Sequence, residues 1–292
     1  MAISSINLAD FLPPFLIALI LSILFTYLIK RLALHYKILD YPSLPRKIHK
    51  KSVPLLGGLG IFLAFAVTLG YYALFTDRIL DSYILGKHLL GILGAGIILM
   101  VGGILDDKFS FRPSRQFIFP VLAALVIIAS GIGINYITNP LGGLIRLDTV
   151  RWQIFTLGDL PYHIVLFADL FTLAWLLGMV YTTKFLDGLD GLVSGICVIG
   201  SLVLFFLSLR KEVMQPETAL LCIILAGVAL GFLIFNFHPA KIFLGEGGST
   251  FLGFILGTLA IISGGKIATA LLCMGIPILD VIWVVSRRLI TK

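Results

Sequence analysis

Charge is scarce in this chain: Asp, Glu, Lys and Arg make up only 13% of its 292 residues, about half the roughly 25% usual for soluble domains. That scarcity excludes a separate soluble domain, and with it a basic module able to hold nucleic acid. Cysteine is rarer still. Cys197, Cys222 and Cys273 all lie in apolar stretches without ligand-like spacing, which reads as packing rather than metal binding. Low-complexity tracts are missing as well. The first apolar run is too long for a signal-peptide core and has no small-residue cleavage site, so it reads as a first membrane span.

What remains is apolar: 59% of the residues are hydrophobic and the mean hydropathy is +1.07. Runs near the 20 residues needed to cross a bilayer recur at about 11–34, 55–75, 87–105, 116–134, 163–183, 192–209, 218–236, 249–264 and 267–286. The pattern predicts an all-α polytopic membrane protein of about nine transmembrane helices, forming a single integral membrane domain over 1–292. Between spans four and five, residues 135–162 contain Asn139-Pro140, Gly142-Gly143 and an alternating Ile145–Val150 stretch. That composition predicts a small surface hairpin or interfacial loop.

Alternating sides place the loops after spans 1, 3, 5, 7 and 9 together. These hold 15 of the 22 Lys and Arg residues, among them Lys51, Lys108, Arg112, Arg115, Lys184 and Lys241. By the positive-inside rule that face is cytoplasmic and the N-terminus is outside. The net charge of +7 is then explained by orientation and by contact with anionic lipid headgroups.

The same parity brings three acidic clusters to one face. Asp106-Asp107 follows span 3, Asp187-Gly188-Leu189-Asp190-Gly191 joins spans 5 and 6, and Gly245-Glu246-Gly247-Gly248-Ser249-Thr250 opens span 8. Carboxylates are costly near lipid, and adjacent ones repel unless a cation is present. Lys108, Arg112 and Arg115 beside the first pair suit a phosphate. Glycines flanking Asp190 allow a tight turn ahead of a helix N-terminus, which favours anions. Ser249 or Thr250 is expected to cap span 8, with the glycines forming a phosphate-cradling loop. The Arg46–Lys51 basic segment and the Gly57-Gly58 pair read equally as an anion contact or as a topology signal with close helix packing. His238, beside Pro239, carries no assigned role at this level.

In order, Lys51-Ser-Val-Pro-Leu-Leu-Gly-Gly58, Gly103-Ile-Leu-Asp-Asp107, Phe185-Leu-Asp-Gly-Leu-Asp-Gly-Leu192 and Asn236-Phe-His-Pro-Ala-Lys-Ile-Phe-Leu-Gly-Glu-Gly-Gly-Ser249 resemble the polyprenyl-phosphate N-acetylhexosamine-1-phosphate transferases of glycosyltransferase family 4. Gly275-Ile-Pro277-Ile-Leu-Asp280 before Arg287-Arg288 is similar to the branch that transfers N-acetylglucosamine-1-phosphate. The resemblance implies a bacterial cytoplasmic-membrane enzyme with its active site on the cytoplasmic face. It would join a UDP-N-acetylhexosamine to undecaprenyl phosphate, release UMP, and use Mg²⁺, with Mn²⁺ as a substitute. It further implies Glu246 as metal ligand and Asp106, Asp107 and Asp187 as the catalytic set, Asp106 acting as base or lipid-phosphate partner. Gly188, Leu189, Asp190, Asn236 and Phe243 take nucleotide-site positions, and Lys51, Lys108, Arg112 and Arg115 are phosphate contacts. A homodimer is compatible with the pattern.

Three departures accompany the resemblance. The family carries Asn where this chain has Lys184, and Asp where it has Glu246, which moves the charge by one methylene in a site sensitive to ångström-level geometry. It also continues into a His-containing loop and a tenth span, which the sequence to Lys292 does not hold. A truncated or catalytically impaired paralogue is therefore one alternative reading. An ion-coupled transporter is the other, although such sites lie near the bilayer midplane.

Overall fold

The computed structural model describes residues 7–42, 52–80, 84–138, 143–157 and 160–263, plus scattered positions from 274 to 290. After a 3-10 turn at Leu8–Phe11 come helices α1 (Leu12–His35), α2 (Gly57–Phe75) and α3 (Gly86–Phe109). They are followed by a short α4 (Pro113–Gln116), α5 (Ile118–Ala129), α6 (Leu166–Leu186), α7 (Leu192–Ser208), α8 (Pro216–Asn236) and α9 (Gly245–Ile262). Among the described residues six helices are long and apolar enough to cross a membrane, and Pro113–Ala129 and Leu192–Ser208 form two shorter apolar segments. The chain is thus an all-α polytopic membrane protein. The expected ninth span, 267–286, lies outside the continuously described residues, as does Cys273.

Several boundaries differ from those expected. The fourth apolar run is broken near Phe117 and ends at Ser130, giving a 12-residue α5. Residues 163–165, taken as the start of span five, instead pair in a strand. The outer segment holds two antiparallel hairpins: β3 (Tyr136–Thr138) with β4 (Leu144–Arg146), and β5 (Arg151–Leu157) with β6 (Leu160–Val165). A further two-residue pair, β1 (Leu39–Asp40) with β2 (Val53–Pro54), folds the chain back between α1 and α2. Span eight begins four residues earlier than expected, so its glycines are helical.

Helices α8 and α9 form the centre, with α1 and α7 against α8, and α3 and α6 against α9. Almost every residue of α9 is buried, including Phe251 and Phe254. In lipid, apolar area alone does not drive helices together, so close packing and interhelical hydrogen bonds do. Ser22 Oγ on α1 donates to Val228 O on α8 at 2.6 Å, and Trp175 Nε1 on α6 donates to Gly257 O on α9 at 3.0 Å. Bonds of this kind contribute on the order of 1 kcal/mol each in membranes. Cys197 and Cys222 are buried and free within this packing, as expected.

The first turn of α9 is gripped from two sides. A Cβ at Gly58 would lie 2.2 Å from Gly248 Cα, and one at Gly103 would lie 2.2 Å from Gly247 Cα. Only glycine lets α2 and α3 approach so closely. The Gly57-Gly58 pair is therefore a packing device. Its N–H groups donate to Phe243 O (3.0 Å) and Leu244 O (2.8 Å), while Phe243 N donates to Pro54 O (2.8 Å).

Candidate active site

At one end of the bundle the α3 C-terminus, the α4–α5 start, the α6–α7 turn and the α8–α9 connection converge. Asp106 and Asp107 occupy the last turn of α3. Successive helical residues point about 100° apart, so the two carboxylates take different sides. Asp106 lines a cleft with Gln116, Phe119, Pro120 and Glu246; Asp107 lines another with Leu56, Ile104 and Leu244. Asp107 Oδ1 accepts the backbone N–H of Glu246 at 3.1 Å, which ties the start of α9 to the end of α3.

Asp106 is held by three contacts. Phe111 N donates to its Oδ1 at 2.7 Å, and Gln116 Nε2 donates to Oδ1 and Oδ2 at 3.1 and 3.0 Å. Gln116 Oε1 accepts from Lys184 Nζ at 2.8 Å, and that ammonium sits 2.5 Å from Glu246 Oε1. Asp187 lies at the end of α6, where the chain is exposed but the carboxyl turns toward Ser249. Its enclosed surroundings push its pKa up to about 7; the negative charge of Glu246 adds to the rise, and the Ser249 hydroxyl opposes it.

Asp106, Asp107, Asp187 and Glu246 are thus close enough to repel one another. Yet among the described residues no three Asp, Glu, His or Cys side chains form a ready cage for an ion. One or two carboxylates are what the hard cation Mg²⁺ takes from a protein, its shell being completed by water and substrate phosphate oxygens.

Asp190, placed by sequence with Asp187, does a different job. Its Oδ2 is 2.9 Å from His238 Nδ1 and accepts the Ala240 N–H at 3.1 Å. It braces the α6–α7 turn against the α8–α9 connection. Asn236 reinforces that brace: its Oδ1 accepts from Gly191 N (3.0 Å) and Ser194 Oγ (3.2 Å), and its Nδ2 donates to Ile242 O (3.0 Å). Gly188 stands in open space and Leu189 is 62% exposed on the same turn, so this rim is open to a ligand. Phe243 is half-buried beside β2.

The basic candidates separate. Lys108 is exposed with its Nζ 5.4 Å from the Phe109 ring centroid, and Arg112 and Arg115 are exposed around α4. Among the described residues none of the three forms an ion pair with the acidic cluster. Lys51 lies outside the described residues. Ser249 and Thr250 are not caps: their hydroxyls donate back to Gly245 O (3.3 Å) and Glu246 O (2.7 Å) inside α9. The glycines expected to cradle phosphate are packed on α2 and α3 instead.

Sequence reasoning missed Gln116, a lone amide at the edge of an apolar run, and left His238 unassigned. It noted Lys184 only as a departure, without its partner. Asp169, the acid inside span five, sits at the opposite end of the bundle in the first turn of α6 and accepts the Val165 N–H at 2.9 Å, which ties the end of β6 to the helix.

Residues 89–264 match Glycosyl transferase family 4. Over 286 residues the chain is 30% identical to a probable undecaprenyl-phosphate N-acetylglucosaminyl 1-phosphate transferase of Bacillus subtilis, covering 95% of this chain and 72% of that protein. It is 28% identical over 261 residues to a decaprenyl-phosphate N-acetylglucosaminephosphotransferase of Mycolicibacterium smegmatis, covering 87% and 60% respectively. A phospho-N-acetylmuramoyl-pentapeptide-transferase of Limosilactobacillus fermentum is 29% identical over 221 residues, covering 73% of this chain and 61% of that protein. The chain therefore spans about three fifths to three quarters of the length of these relatives.

Proposed function

This chain belongs to glycosyl transferase family 4, and from that membership we propose that it transfers N-acetylglucosamine-1-phosphate from a UDP-sugar to a polyprenyl phosphate, releasing UMP. The names of the B. subtilis and mycolicibacterial relatives support this acceptor and sugar. The observation that carries the proposal is the gathering of Asp106, Asp107, Asp187 and Glu246 at one end of an apolar bundle, beside the open Gly188–Leu189 rim.

In this reading an oxygen of the lipid phosphate attacks the β-phosphorus of the UDP-sugar. A new phosphoanhydride bond forms, the old one breaks, and the bonding electrons leave with the α-phosphate of UMP. Bound Mg²⁺ would be held by Glu246 with Asp187 or Asp107, and would neutralise the charge on the transferring phosphoryl group. Asp106 faces the cleft with apolar walls formed by Phe119 and Pro120, the side from which a lipid phosphate arrives, and takes its proton. Gln116 fixes the angle of that carboxylate. Lys108, Arg112 and Arg115 draw in the anionic headgroup. The Asp190–His238–Asn236 brace holds the nucleotide rim in register with α9. The cluster faces the cytoplasm of the bacterial inner membrane, where UDP-sugars are available, and the product would begin an envelope glycan.

The test is UMP release by the purified full chain given UDP-N-acetylglucosamine, undecaprenyl phosphate and Mg²⁺. Asp107→Ala and Glu246→Ala are each expected to lower turnover by about 10²-fold or more while keeping a cooperative melt. Failure of the wild-type chain to bind either substrate in the presence of Mg²⁺ would overturn the reading.

A further inference from the structure

The acidic cluster carries a cation of its own. Lys184 Nζ bonds at once to Glu246 Oε1 (2.5 Å) and Gln116 Oε1 (2.8 Å), and Gln116 Nε2 holds both oxygens of Asp106. The Lys184 and Glu246 side chains are only 18% and 19% exposed. The ammonium also lies 5.7 Å from the Tyr181 ring centroid, so it is set between two acceptors and a π-face rather than waving in solvent. We infer that Lys184 is a built-in counter-ion for Glu246, one that a divalent cation has to displace and that links cation arrival to the release of Asp106. This rests on the acidic cluster being the metal site proposed above.

An ammonium offers donors only, so while it occupies Glu246 Oε1 that oxygen is not free to enter a metal shell of about 2.1 Å radius. Two cations on one carboxylate also repel strongly where water is partly excluded. Lys184 can give way: its side chain is long and flexible, and it stands in the last turn of α6 next to the exposed α6–α7 connection. When it leaves, Gln116 loses the contact at Oε1, and the amide that clamps Asp106 becomes free to turn. The displaced ammonium has an obvious new acceptor in a substrate phosphate oxygen. Divalent cation and diphosphate therefore favour each other's binding, and the cation alone binds weakly. In the absence of both, the bridge keeps the carboxylates apart from bulk cations and holds Glu246 neutralised.

The inference is tested with Mn²⁺ alone, without substrate, titrated into the purified full chain and followed by electron paramagnetic resonance. Lys184→Gln is expected to bind Mn²⁺ at least about fivefold more tightly than wild type, and Lys184→Arg, which keeps the charge, to stay near wild type. Equal or weaker binding by Lys184→Gln overturns the inference and leaves the transferase reading intact. Mn²⁺ binding by none of the three proteins removes the metal site and this inference together. A second measurement needs no variant: acetic anhydride labelling of Lys184 in the wild-type chain, read by peptide mass spectrometry. Labelling should rise as Mn²⁺ saturates the site. Unchanged labelling at saturation shows that the ammonium does not move, and the counter-ion role is then wrong.

Discussion

One carboxyl at the end of α6, Asp187, contributes a pH dependence of its own to this protein. Asp187 has a pKa of about 7 in the fold against an ordinary value of 3.8, because enclosure and the charge of Glu246 both disfavour ionisation. The stabilisation from keeping it protonated is complete below about pH 4 and is lost as pH rises through 7. The metal-free protein should therefore melt at progressively lower temperature between about pH 4 and 7, and Asp187→Asn should flatten that decline. Thermal unfolding in chelator at a series of pH values checks it; an unchanged slope in the variant would assign the decline to other groups. In the proposed metal site Mg²⁺ would oppose the effect, since it would bind the ionised carboxylate and expel a proton on binding. How the roles divide between neighbours was not legible in the sequence. Asp187 and Asp190 share one short motif, yet one faces the cluster and the other clamps His238 and Ala240. The Lys184–Glu246 contact joins residues 62 positions apart on different helices, and no local pattern announces such a pair.

At the scale of elements, the facing glycines of α3 and α9 are asymmetric partners. A methyl group added at Gly103 would collide with the backbone of Gly247, whereas one added at Gly247 meets its nearest neighbour, the end of the Met100 side chain, at 3.4 Å. Gly103→Ala should thus destabilise the bundle by about 1–3 kcal/mol. Gly247→Ala should be neutral or gain up to about 1 kcal/mol from helix propensity. Unfolding of both variants in detergent distinguishes them, and equal losses would mean that the crossing has room to relax. Sequence reading placed all nine apolar runs on helices, because length and hydropathy suffice for that, and the eight runs within the continuously described residues are helical over most of their length. It failed where the same composition serves two structures: Ile164-Val165 is as apolar as the helix that follows, but hairpin pairing with Arg151-Trp152 claims it. Ser249 and Thr250 looked like caps because four glycine-rich residues precede them. Close packing on Gly58 and Gly103 pulls those residues into the helix instead.

For the whole molecule, parity arguments from the sequence put the acidic clusters together, and the ends of α3, α6 and α8 with the starts of α5, α7 and α9 indeed share one end of the bundle. The opposite end gathers the chain start, the loop after α2 and the hairpins, where Arg78 Nη1 donates to Asp10 O at 3.1 Å and Ile134 N donates to Thr172 Oγ1 at 2.9 Å. The positive-inside assignment predicts that a cysteine at exposed Leu189 is labelled by an impermeant maleimide only from the cytoplasmic side, and one at exposed Leu144 only from outside. Labelling of Leu189→Cys in intact cells would invert the topology. Finally, α4 and α5 together rise only about 25 Å, at 1.5 Å per residue, against roughly 30 Å of hydrocarbon. Thinning of the lipid beside them is one way to match it, with snorkelling of flanking residues another. Where the lipid thins, the patch borders Gln116 and the Asp106 cleft, so a long-chain phospholipid drifting in the leaflet meets a dimple there. Membrane thickness itself becomes a variable of the protein: bilayers of shorter acyl chains relieve the mismatch at α5, and thicker ones deepen it on the side of the Asp106 cleft.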